Sequence, residues 1–106
     1  MSQYKPPVNI YRSWFVPRGF RGWVPRKRTI IFSRSADVTV RLLAHELRHV
    51  IQAENAPWPA AYVAQWAASG FSYWNMPFEY EARRAEGEAF YRDWASTILA
   101  SRGGRL

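Results

Sequence analysis

The residues Val38-Thr39-Val40-Arg41-Leu42-Leu43-Ala44-His45-Glu46-Leu47-Arg48-His49-Val50-Ile51-Gln52-Ala53 form the strongest periodic pattern in the chain. Val40, Leu43, Leu47, Val50 and Ile51 fall on one apolar stripe at helical spacing. The stripe predicts a helix that follows a connector at Ser33 to Asp37, takes Ser35 or Asp37 as its cap and ends near Asn55. On that helix His45 and His49 lie four residues apart on one face, with Cβ atoms about 6 Å from each other. Two imidazole nitrogens so placed can grip one metal ion. Glu46 follows the first His, where its carboxylate reaches a water on that metal.

The pattern is H-E-x-x-H, the arrangement of zinc peptidases. Each part has a chemical reason. Zn²⁺ at a catalytic site takes three protein ligands and leaves a fourth position for water. The ion lowers the pKa of that water to roughly 7 and polarises a carbonyl. The Glu takes the proton and hands it to the leaving group. The chain has only two His and spends both here. Zn²⁺ is the expected cofactor, with His45 and His49 as ligands and Glu46 as general base.

Before this helix the chain reads differently. Met1 to Pro7 looks loose, and its polarity and two prolines do not suit a signal peptide. Val8 to Val16 mixes β-branched and aromatic residues and predicts a strand, broken by Pro17 and Gly19. Phe20 to Ser33 holds a second candidate, strongest at Thr29-Ile30-Ile31-Phe32, while Pro25 weakens the part before it. A small antiparallel hairpin or sheet is expected there. After the metal-motif helix, Ala56-Pro57-Trp58-Pro59 breaks the chain, with Pro59 suited to the first turn of a second helix, Ala60 to Ser69, closed by Gly70. Phe71 to Pro77 is an aromatic loop, and a third helix runs from about Phe78 to Ala100, stopped by Gly103-Gly104. The expected architecture is α+β: a small N-terminal sheet followed by three helices, in one domain over residues 1–106 with loose ends at 1–7 and 101–106.

Composition narrows the partners. No apolar run approaches the roughly 20 residues of a membrane span, so a soluble, cytoplasmic protein is expected. The absence of Cys excludes disulfides and thiolate metal sites. The net charge of +7 is uneven. Lys5, Arg12, Arg18, Arg21, Arg26, Lys27, Arg28 and Arg34 precede the first acid, Asp37. Interleaved with Tyr11, Trp14, Phe15, Phe20 and Trp23, this basic lobe is a candidate surface for nucleic acid. The plainer reading of it is a solvated basic face.

The third metal ligand must be a carboxylate, because no further His or Cys exists. Asp37 lies about 12 Å before His45 along the helix axis, and Glu54 points about 180° away from it. The last helix supplies the other candidates. With Phe78 at zero and about 100° per residue, Ala82, Ala85, Ala89, Phe90, Trp94 and Ile98 fill an arc from about −20° to 200°. Glu79 and Glu86 fall inside the arc, near 100° and 80°. Glu81 and Glu88 fall on the polar side with Arg84 and Arg92. Asp93 lies inside the arc but too far along the helix. Glu79 is therefore the chosen ligand, with Glu81 and Glu86 as alternatives. Glu86 is also a candidate to support the site from outside or to pair with an Arg. An acid in the first helical turn has a second explanation, its favourable place in the helix dipole.

His45-Glu46-Leu47-Arg48-His49-Val50-Ile51-Gln52, followed by Pro77-Phe78-Glu79-Tyr80-Glu81-Ala82-Arg83, resembles the minimal zincin metallopeptidases of the gluzincin type, and most nearly small bacterial and phage domains of the DUF4157-like sort. The resemblance spans roughly Thr29 to Glu86. It implies Glu79 as third ligand, by the E-x-x-A pattern that ends at Ala82. It also implies a sheet edge along the substrate cleft. Arg83 departs from the family, several members of which place Asp or Asn there to orient a metal-bound His; Glu86 is the candidate substitute. Asn55 stands where a metzincin would have its third His, so that reading fails.

Two functions follow. One is a zinc-dependent peptidase acting on a peptide or protein, with Tyr73, Tyr80 or Arg83 as candidates to stabilise the oxyanion and a basic lobe that favours acidic substrates. So small a domain is expected to lack a deep specificity pocket. The other is a weak or inactive zincin-fold binding module whose basic aromatic lobe contacts nucleic acid or a protein. A purely structural zinc site has no use for Glu46.

Overall fold

In a computed structural model, residues 4–17 and 19–104 are described; the expectations for Met1 to Gln3, for Arg18 and for the last two residues of the tail lie outside them. Three strands come first: β1 (Asn9–Ser13), β2 (Gly22–Arg26) and β3 (Thr29–Ser33). Four helices follow: α1 (Val40–Asn55), α2 (Ala60–Ala68), α3 (Pro77–Ala85) and α4 (Ala89–Ser101), with a 3₁₀ turn at Tyr73–Asn75 before α3. The α+β class expected from the sequence is what the chain adopts.

The sheet has the order β1-β3-β2. β2 and β3 form the expected antiparallel hairpin across the turn Lys27-Arg28. β1 joins the other side of β3 in parallel, Asn9 opposite Thr29 and Ser13 opposite Ser33, so the sheet is mixed rather than wholly antiparallel. Pro25 sits in β2 where the ladder to β3 is irregular, between Trp23 and Arg26. A residue without an N–H is tolerated at such a place. β2 is left as an edge strand, and Trp58 Nε1 donates to its Val24 carbonyl at 2.7 Å.

α1 is the centre of the molecule. Its cap is Thr39, whose Oγ1 accepts from the Leu42 N–H at 3.1 Å, in place of the expected Ser35 or Asp37. Leu43, Leu47 and Val50 are wholly buried, and Val40 and Ile51 pack at the margin, as the stripe requires. Ile30 and Phe32 of β3 meet this helix from one side, and Tyr91, Trp94 and Ala95 of α4 complete the core.

The single last helix expected from Phe78 to Ala100 is instead α3 and α4. Glu86, Gly87 and Glu88 donate to Arg83, Arg84 and Ala85 carbonyls in i→i−3 bonds, which tighten and end α3. Glu88 is then extended, with φ −89° and ψ 131°, and its carbonyl starts α4 by accepting from Arg92 N. The break resets the helical phase: Ala89 is exposed, while Tyr91 and Ala95 are buried. Among the described residues, no helix is long and apolar enough to cross a membrane.

Candidate metal centre

His45 and His49 project from the buried face of α1 toward the first turn of α3, where Glu79 is 2% exposed. Glu79 Oε1 lies 3.0 Å from His45 Nε2 and 3.1 Å from His49 Nε2. The three ligand atoms all fall within 4.8 Å of one another. Ligands held at 2.0–2.2 Å by a tetrahedral zinc stand roughly 3.3 Å apart, so the spacing fits such an ion. Two imidazole nitrogens and one carboxylate oxygen are also a donor set that zinc favours.

The surrounding residues hold the donors in place. Glu86 Oε2 accepts from His45 Nδ1 at 2.8 Å, and its other oxygen pairs with the Arg41 guanidinium. Gln52 Oε1 accepts from His49 Nδ1 at 2.7 Å. The amide of Gln52 is itself fixed, since Nε2 donates to the Phe78 carbonyl and to Glu81 Oε1, both at 3.0 Å. Both His therefore direct Nε2 at the centre, as ligating His require. The Tyr62 hydroxyl donates to Glu79 Oε2 and leaves Oε1 for a metal.

Charge follows this geometry. Burial opposes a proton on His45, but hydrogen bonds to Glu79 and Glu86 and the charge of Glu46 outweigh it and raise its pKa to about 9. Burial likewise opposes ionisation of Glu79, yet hydrogen bonds from His45, His49 and Tyr62 hold it well below the usual carboxylate range. Glu46 is the exception. It is buried, its Oε1 has no hydrogen-bond partner among the described residues, and burial pushes its pKa up. Burial and the neighbouring Glu79 raise the Tyr73 hydroxyl too, so it keeps its proton.

Two clefts meet at the cluster. A cavity of about 390 Å³ lies against His45, Glu46, His49 and Glu79, and its remaining walls are apolar and aromatic. A second cleft of about 720 Å³ also reaches His45 and Glu46 and is lined by Arg21, Arg41 and Arg83.

Compared with protein-family models, curated proteins and solved structures, the chain matches none of them.

The structure brings His45, Glu46, His49 and Glu79 together. The alternatives to Glu79 go elsewhere: Glu81 pairs with Arg48 at 3.3 Å and with Gln52, and Glu86 binds the far nitrogen of His45. Glu86 thus supports His45 from outside the cluster, while Arg83 donates to the Trp74 carbonyl and lies over the Trp74 ring. Asp37 and Asp93 are exposed, and Glu54 pairs with Arg28. Tyr73 lines both clefts, whereas Tyr80 is exposed and lines neither. Sequence reasoning missed Tyr62 and the role of Gln52. Gln52 was detectable, three residues after His49 and thus on the same helical face; Tyr62 was not, because its place depends on how the Pro57–Pro59 connector folds.

Proposed function

We propose that this chain is a zinc-dependent peptidase that hydrolyses peptide bonds. One observation carries the reading: a buried carboxylate with an unpartnered oxygen, Glu46, stands beside three convergent ligand atoms. A buried, unpaired acid is costly and is kept where chemistry uses it.

His45 Nε2, His49 Nε2 and Glu79 Oε1 would hold the ion. Zinc bound there would supply a Lewis acid that polarises the scissile carbonyl and acidifies water. Glu46 Oε1 takes the proton from the attacking water and passes it to the leaving amine. Its raised pKa suits both halves of that transfer. The Tyr73 hydroxyl, held protonated, donates a hydrogen bond to the charge that develops on the carbonyl oxygen. Glu86 and Gln52 fix the two imidazoles, and Tyr62 fixes Glu79. A cytoplasmic setting belongs to the same proposal.

The test is elemental analysis of the purified protein, then digestion of an unstructured protein. Near-stoichiometric zinc is expected in both wild type and Glu46→Gln, with cleavage lowered by roughly 10²–10⁴-fold in the variant. Equal cleavage by the two proteins excludes Glu46 as the base.

A second reading has its own support. Trp14 and Phe15, 73% and 89% exposed, stand on the basic lobe beside the exposed Tyr11. Such a surface suits a binding module for nucleic acid or a protein. Binding that falls steeply with salt and survives chelation of zinc would favour it.

A further inference from the structure

The apolar cavity carries an inference about substrate, one that rests on the peptidase reading. We propose that it takes a large apolar side chain of the substrate, aromatic or long aliphatic, next to the bond that is cut.

α2 is the first ground. Its sequence, AAYVAQWAA, has no charged residue, yet the helix has no buried residue. Val63 is 55% and Trp66 40% exposed. An apolar helix ordinarily buries a face against its own fold. Here Tyr62, Val63 and Trp66 line the cavity instead, facing Trp23 and Val24 of β2 and Trp58 of the connector. What α2 lacks is an apolar group in that space.

The second ground is that the walls are braced. Trp58 is tied to Val24 by its indole N–H and meets Tyr62 edge-on at 5.4 Å. Tyr62 is tied to Glu79, and Trp66 is propped by Phe71 at 4.9 Å. Rigid aromatic rings need little ordering when a ligand enters. They also offer an incoming ring the edge-to-face contacts it prefers. A volume of about 390 Å³ falls in the roughly 300–1,000 Å³ range of ligand pockets.

Charge decides the class of side chain. Among the described residues, the carboxylates at the cavity are Glu46 and Glu79, and no Lys or Arg lines it. An acidic side chain would meet like charge. A basic one would be stripped of water among Trp and Tyr rings, while Glu79 is already engaged by both His and Tyr62 and Glu46, as the proposed base, is needed at the attacking water. Arg21, Arg41 and Arg83 line the second cleft and not this cavity, so an acidic preference belongs there.

The experiment uses zinc-loaded Glu46→Gln protein and four labelled peptides of one Gly/Ser frame with a central Phe, Ala, Asp or Lys. Fluorescence anisotropy is expected to give at least tenfold tighter binding of the Phe peptide. Val63→Trp, which fills the cavity from an exposed position, should erase that preference; Trp66→Gln is the second variant should the first misfold. Equal affinities, no binding at millimolar protein, or a preference for Asp or Lys overturns the inference. So does a Phe preference that both variants retain. Digestion by wild type separates the two claims. Cleavage without apolar preference keeps the peptidase and removes the cavity's role. Phe-selective binding without any cleavage does the reverse.

Discussion

His45 has a carboxylate at each ring nitrogen, Glu86 at Nδ1 and Glu79 at Nε2, so without a metal it is an imidazolium. A metal bound there would have to displace the Nε2 proton, while the Nδ1 proton would stay on its bond to Glu86. With the His45 pKa raised to about 9, zinc binding releases a proton at any pH below that value. The apparent zinc affinity should rise with pH toward about 9 and level off above it. Calorimetry in buffers of different ionisation enthalpy checks this, and an affinity flat with pH refutes it. Glu46 gives the opposite kind of signal. Its folded pKa is raised above the unfolded value, so the folded state binds the extra proton and loses stability as pH climbs past the ordinary carboxylate pKa. Glu46→Gln should accordingly raise the melting temperature of the metal-free protein at pH 7, with the gain shrinking as pH falls toward about 4.5. A variant that melts lower than wild type at neutral pH would mean that the charge is not a burden to the fold.

β2 approaches β3 closely because Gly22 has no side chain. A Cβ there would stand 2.6 Å from Cδ1 of Phe32, whose ring is wholly buried and cannot swing aside. Gly22→Ala should cost ~1–3 kcal/mol in urea unfolding by overpacking; an unchanged midpoint would show that the ring has room to move. Strain of this kind is invisible in sequence, and so is the parallel pairing of β1, because a strand's pattern does not name its neighbour. α1 was legible throughout, since its apolar stripe and its chemistry lie on one continuous helix. Glu79 was legible for the same reason: phase counted from Phe78 holds within α3. Counting on to Asp93 and Ala89 failed, because the chain turns at Glu86-Gly87-Glu88. Gly87 was the warning there, a residue that costs roughly 1 kcal/mol inside a helix. The break has a consequence for the site, since Glu86, as the C-cap of α3, bonds to both His45 and Arg41.

A chain of 106 residues has a small core, and this one gives part of it to His45, Glu46, His49, Gln52 and Glu79, all buried. Polar groups so placed are tolerable only while each has a partner. Glu79 Oε1 lies within hydrogen-bond reach of both imidazoles, and Glu46 Oε1 has no hydrogen-bond partner among the described residues. An ion among these groups would bind the folded state alone, because the unfolded chain does not bring α1 and α3 together. At a zinc concentration of 100 times Kd the added stability is about 2.7 kcal/mol. For a domain near this size, each kcal/mol moves the midpoint by roughly 4–8 °C, so zinc should raise Tm by roughly 10–20 °C over chelated protein. Mg²⁺, a hard ion that prefers oxygen ligands and keeps its waters, should give little at the same concentration. His49→Ala should melt at one temperature with or without zinc, since two donors on separate helices no longer close a three-ligand site. Scanning calorimetry reads all three. If wild type melts alike in zinc and in chelator, the convergence of His45, His49 and Glu79 is a hydrogen-bonded core feature, and the peptidase reading fails with it.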